Sequence, residues 1–204
     1  MLKFKWLTSL VLLILLLVIT GCKNGDGVIK VAVKPVPVAV DAIKQAPKIS
    51  IHEAALIGQI SVVMELLATG QNLDSLDLDG RTALMYASFN GYTDLVVKLI
   101  EKGAKINSAD LYGRTALMMA SSGPYAETVK VLLNHQADPN MVDKEEHFTA
   151  LMYAAAEGQM EVVKLLISNG ADPSLKDIDG DNAFTFASNN GHVEVANLLK
   201  SLKK

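Results

Sequence analysis

Three kinds of side chain in this sequence have the chemistry for a site: one thiol, four imidazoles and a row of aspartates. The thiol is Cys22, the sole cysteine, so it can form neither an internal disulfide nor a cysteine-based metal cluster. It needs a use of its own. The imidazoles are His52, His135, His147 and His192. They stand at unrelated spacings, which reads as surface and helix-end residues rather than ligands. The aspartates Asp77, Asp110, Asp143 and Asp177 recur at intervals of 33, 33 and 34 residues. A carboxylate row invites a calcium reading, but no loop has the Asp-x-Asp-x-Asp-Gly spacing that calcium requires. The simpler reading is a turn residue whose carboxylate accepts backbone N–H bonds. No GxxxxGK[ST], HExxH or GxSxG run occurs. The sequence therefore names no catalytic residue, no cofactor and no metal, and it reads as a non-enzyme.

Composition narrows the partners. Half of the 204 residues are hydrophobic and a fifth are charged, which suits a globular chain. Without residues 1–21, 17 basic side chains face 22 acidic ones, a net charge of −5. That is no footprint for nucleic acid.

Stepping outward from Cys22, the chain begins Met1-Leu2-Lys3-Phe4-Lys5 and continues into an unbroken apolar run, Leu10 to Ile19. A basic head and a short apolar core are the parts of a secretory signal. The run is shorter than the roughly 20 residues a spanning helix needs. Ile19-Thr20-Gly21-Cys22 resembles a bacterial lipobox. The resemblance implies cleavage before Cys22, a diacylglyceryl group on its sulfur and an acyl chain such as palmitate on its new amino terminus. Two or three chains hold a protein far better than one, because each buried methylene contributes roughly 0.8 kcal/mol. The residue after Cys22 is Lys23 rather than Asp. In enterobacterial lipoproteins that favours the outer membrane, facing the periplasm.

Residues 22–48 then read as the lipidated cysteine and an extended linker. Val28 to Val40 alternates valines with Lys30, Lys34, Pro35 and Pro37. The prolines disfavour a helix or a central strand. A spacer is the plain reading, and a docking strand for another protein is the other.

From residue 49 the chain copies itself. Gly80-Arg81-Thr82-Ala83-Leu84-Met85-Tyr86-Ala87 returns as Gly113 to Ala120, His147 to Ala154 and Gly180 to Ala187, at spacings of 33, 34 and 33. A weaker copy, Ile49 to Ala54, precedes them. Five units result, at about 47–79, 80–112, 113–146, 147–179 and 180–204. The period and pattern resemble the ankyrin repeat. That implies an all-α solenoid over 49–204, each unit a turn or hairpin tip followed by two antiparallel helices.

The residues suit it. Thr82, Thr115 and Thr149 stand where helix caps belong, each followed by Ala. Leu84, Ala87 and Ser88 make a narrow inward stripe; Leu95, Val96, Leu99 and Ile100 make the apolar face of a second helix. The family's Thr-Pro-Leu-His becomes Thr-Ala-Leu-Met, so Met85, Met118 and Met152 replace the histidine and its polar network is lost. The third unit is the least regular. Gly123-Pro124 replaces Asn-Gly, Gln136 replaces a terminal Gly, and one extra residue lies within Val142 to His147. The end units read as caps, with Lys200, Ser201, Lys203 and Lys204 facing water.

The resemblance places binding on turn tips and on the concave face made by the first helices. Reading down that face gives Glu53, Tyr86, Met119, Tyr153 and Phe186, then Leu56, Phe89, Ser122, Ala156 and Asn189. Tyr86, Phe89, Met119, Tyr153 and Phe186 are expected to form an apolar binding strip, since aromatic anchors dominate protein interfaces. Packing of the rings against neighbouring turns is the competing reading. Tips add Leu78, Leu111, Tyr112, Lys144, Glu145 and Ile178. The expected function is a lipid-anchored monomeric scaffold or adaptor for an envelope protein. The alternative is an immunity or inhibitor lipoprotein that neutralises an envelope-targeted toxin or enzyme.

Overall fold

The structure, a computed structural model, describes residues 49–202. The expected signal 1–21, Cys22 and the expected linker to residue 48 lie outside the described residues, as do Lys203 and Lys204. Ten helices follow in five antiparallel pairs: α1 Ile51–Leu56 and α2 Ile60–Ala68; α3 Ala83–Phe89 and α4 Thr93–Glu101; α5 Ala116–Ser121 and α6 Ala126–Asn134; α7 Ala150–Ala156 and α8 Met160–Ser168; α9 Ala183–Asn189 and α10 Val193–Ser201. Each first helix packs on the next first helix, from α1 through α9. The fold is the α repeat solenoid that the 33-residue period implies. Between pairs the chain makes tips without regular strands; Ala109 and Thr115 form one isolated antiparallel bridge.

Local chemistry sets the helix starts. The hydroxyls of Thr82, Thr115 and Thr149 accept from the amides of Met85, Met118 and Met152 at 3.3, 3.3 and 3.2 Å. In two units the methionine answers the missing histidine, its sulfur accepting from the Thr82 amide at 3.4 Å and the Thr149 amide at 3.5 Å. In the first unit Ile49 stands in the threonine column, so the cap moves one residue on, to Ser50, which closes a capping box with Glu53.

The inward stripe is buried as expected: Leu84, Ala87, Leu117, Ala120, Leu151 and Ala154 are each at most 2% exposed. The second helices bury Leu95, Val96, Leu99, Val162, Val163 and Leu166 against it. Neither end is wholly polar: the last pair exposes Val193 at 65% and Leu202 at 38% beside its polar residues. In the last pair Glu194, Asn197, Lys200 and Ser201 are exposed. The first pair is apolar at its end, with Leu56 41% and Ile57 51% exposed. α2 adds Ile60, Val62, Met64, Leu66 and Leu67 on several sides, all partly exposed; its one buried residue is Val63.

The tips are hydrogen-bonded into a ladder. Leu111 N donates to Asp79 O at 2.9 Å, Lys144 N to Tyr112 O at 2.8 Å, and Ile178 N to Glu146 O at 3.1 Å. In the regular tip at Leu111 and Tyr112, donor and acceptor are adjacent residues. At Lys144 and Glu146 one residue separates them, so Glu145 is the extra residue and the ladder runs past it unbroken. Gly113 makes the close approach possible: φ is +82°, and a β carbon there would sit 2.8 Å from the Lys144 amide nitrogen. The irregularity of the third unit shows just after α6 and at the first residue of the next unit. Gln136 and His147 hold φ of +66° and +59° where other units use glycine.

Candidate interaction surface

The four aspartates of the tips are the base of the surface. In each, Oδ1 accepts two backbone amides: Asp79 and Arg81 at Asp77, Tyr112 and Arg114 at Asp110, Glu146 and Phe148 at Asp143, Asp179 and Asp181 at Asp177, over 2.7–3.3 Å. They are turn residues, as the sequence indicates. The second oxygen differs from tip to tip. Asp77 Oδ2 accepts from the Tyr86 hydroxyl at 2.6 Å. Asp110 Oδ2 accepts Nε and Nη2 of Arg114 at 2.9 and 2.8 Å. Asp143 Oδ2 accepts from the Tyr153 hydroxyl at 2.8 Å. At the fourth tip Phe186 stands in the tyrosine column and has no hydroxyl. Among the described residues no side chain donates to Asp177 Oδ2.

These bonds set the charges. Burial first, then the bond to Asp77, raises the Tyr86 hydroxyl above its ordinary pKa. Burial and the bond to Asp143 push Tyr153 up further. Asp77 lies below the ordinary aspartate range, because partial burial, which opposes this, is outweighed by donation from Tyr86 and from the Arg81 and Asp79 amides. Arg81 pairs with Asp79 at 3.1 Å and reaches Asp110 at 3.8 Å; its guanidinium lies 5.9 Å from the Tyr86 ring centre. Arg114 lies 4.7 Å from the centre of the Tyr112 ring.

The expected strip is therefore not one free apolar surface. Tyr86, Met119, Tyr153 and Phe186 are half-buried and pack against the core, and the tyrosines spend their hydroxyls on the tips. Phe89 is exposed at 52%. The tip residues are the open part: Leu78 at 98%, Leu111 at 62%, Ile178 at 56% and Tyr112 at 37%, with Lys144 and Glu145 also exposed. Phe148 was not among the sequence-derived candidates. It joins the strip, its ring 4.8 Å from Phe186 and 5.5 Å from Tyr153, both edge-on. The signal was the column after the tip glycine, which reads Arg81, Arg114, Phe148, Asp181.

The histidines serve the scaffold. His52 Nε2 lies 2.8 Å from Ser75 O, His135 Nδ1 2.9 Å from Val131 O and His192 Nε2 3.0 Å from Ala156 O. His147 is exposed on its tip. Among the described residues no group of three or more His, Cys, Asp or Glu is placed to hold a metal ion. The hollow beside His52, Asp77 and Tyr86 is shallow and open. Among the same residues no helix is long and apolar enough to cross a membrane.

A stack of helix pairs with apolar tips and a half-buried aromatic face defines a class: a repeat scaffold that presents surface rather than encloses substrate. The family described as ankyrin repeats (three copies) matches over residues 22–110, 51–143, 98–177 and 125–204, and the chain belongs to it. Ankyrin repeats generally mediate protein–protein interaction and are typically non-enzymatic. A search of the curated proteins found no match.

Proposed function

We propose that this chain is a lipid-anchored interaction module of the bacterial cell envelope. Cys22 carries the anchor, residues 23–48 connect it to the stack, and Lys23 favours the outer membrane, facing the periplasm. The stack binds one envelope protein as a monomer, through its tips and concave face. The observation that supports binding is the row of exposed aliphatic tips, Leu78, Leu111 and Ile178, on a family fold whose general role is protein recognition. Such side chains facing water add nothing to the core and suit a partner's apolar pockets.

The test separates surface from scaffold. Tyr86 and Tyr153 hold tips together, so the substitutions fall on exposed residues: Leu78→Ser, Phe89→Ser and Ile178→Ser together. The variant is expected to melt within a few degrees of the parent and to lose the proteins captured from the native envelope. Unchanged capture by a folded variant removes this surface from the proposal. For the anchor, Cys22→Ser is expected to abolish lipid labelling and membrane fractionation. Retention in the membrane means the apolar run is itself the anchor.

A further inference from the structure

The tips repeat one arrangement four times, and the chain fills the second carboxylate oxygen with its own side chains at the first three only. At Asp110 the Arg114 guanidinium takes the free carboxylate oxygen through two bonds and also faces the Tyr112 ring. At Asp77 and Asp143 a tyrosine hydroxyl takes that oxygen instead, and Arg81 pairs with Asp79 beside the Tyr86 ring. In the second half Phe148 and Asp181 occupy the arginine column. There Phe148 stands edge-on to Phe186, and the aliphatic Ile178 and Val142 are exposed at 56% and 41%. Around it stand Glu145, Glu146, Asp179 and Asp181. Among the described residues none of these four forms an ion pair, and exposed Lys176 approaches none of them. Asp177 Oδ2 has no side-chain donor. Residues 49–202 as a whole carry 10 basic against 20 acidic side chains, a net charge of −10.

We propose that the tips of the last two units bind a cationic segment of the partner protein, with an arginine or lysine donating to Asp177 Oδ2 beside the Phe186 ring and an aliphatic neighbour packing on Ile178. The occupant's chemistry is the one the molecule itself uses at Asp110. A guanidinium satisfies the open carboxylate oxygen with two N–H donors and meets an aromatic surface at cation–π distance. This deepens the reading above and rests on the tips being a binding surface.

Two variants test it without breaking the tip. Asp177→Asn keeps the Oδ1 acceptor that holds the Asp179 and Asp181 amides, and removes the charge. Asp181→Arg restores the arginine of the earlier units and fills the place from within. Random twelve-residue peptides displayed on phage are selected against the full chain in detergent, and binders are measured by fluorescence anisotropy. Binders are expected to carry Arg or Lys next to an aliphatic residue and to weaken about tenfold on either variant. Replacing that basic residue by Gln is expected to weaken binding to the parent equally and to leave binding to Asp177→Asn unchanged, the coupling that a direct bond requires. Asp181→Arg is also expected to raise the melting temperature.

Binders without basic residues, or basic residues uncoupled from Asp177, overturn the inference. If such binders are still lost on the Leu78, Phe89 and Ile178 triple substitution, the interaction surface stands and only the cationic partner fails. Binders insensitive to every one of these changes, or no binders at all, overturn both. A dimer of the chain that Asp181→Arg dissolves shows the face to be covered by a second copy and likewise overturns a separate partner.

Discussion

The two halves of the tip surface share a backbone and differ in one column. Asp77, Asp110, Asp143 and Asp177 hold their tips by the same pair of amide bonds. After that bond is made, Arg81 and Arg114 pair with Asp79 and Asp110 in the first half, while Phe148 and Asp181 leave the second half aromatic and acidic. Asp110 shows how far neutralisation goes: its side chain is fully buried, bound to Arg114 and approached by Arg81. A repeat scaffold thus separates two jobs. The aspartate keeps the fold, and the column of Arg81, Arg114, Phe148 and Asp181 decides whether the tip carries its own cation.

The largest expected effect breaks that contrast. Arg114→Ala leaves a buried carboxylate without its bidentate partner and is expected to cost about 3 kcal/mol. Asp181→Ala, in the same column, is expected to change stability by no more than about 0.5 kcal/mol. Urea unfolding of both variants gives the comparison. Equal losses mean that the column does not divide the surface.

A second difference runs the other way. Ser88 and Ser121 are fully buried with no partner for their hydroxyls, whereas the same column holds Ala55 and Ala155 elsewhere. Ser88→Ala and Ser121→Ala are each expected to stabilise by about 1 kcal/mol, since a buried unsatisfied hydroxyl costs more than it returns. A fall in the denaturation midpoint in either variant shows that the hydroxyl is satisfied in solution.

The smallest effect is acid sensitivity at Asp77. Its folded pKa lies below the ordinary value, so its contribution is complete above that value and is lost as pH falls through the depressed one. Because the group is partly exposed, solvent screening limits it to a few tenths of a kcal/mol. Asp77→Asn is expected to flatten the stability profile below about pH 4. A profile identical to the parent's removes the carboxylate from the account.

Much of the scaffold was legible because it repeats. A column of threonine followed by alanine can only mean a recurring helix start, and Leu95, Val96 and Leu99 recur as Val162, Val163 and Leu166 at the spacing of one helix face. The aspartates were legible as turn residues for the same reason. The surface was less so. Tyr86 and Tyr153 look like free aromatic anchors in a list of columns, yet both hydroxyls reach nine or ten residues back to an aspartate of their own tip. The apolar outer end of α2 was also hidden, because its residues match the interior columns of later units and differ only in having no earlier unit described against them.

The sequence by itself determined the period, the helix pairs, the capping threonines and the aspartate at each tip, because each rests on contacts within a few residues or on a pattern copied four times. Only the tertiary structure decided which tip carboxylates find a partner within the chain and which stay open. That depends on where Arg81 and Arg114 reach, on Phe148 meeting Phe186 across 38 residues, and on a ladder that absorbs Glu145 without breaking. The ring contact and the ladder join residues about a repeat apart, a distance that a one-dimensional pattern does not carry, and the reach of each arginine depends on its side-chain conformation.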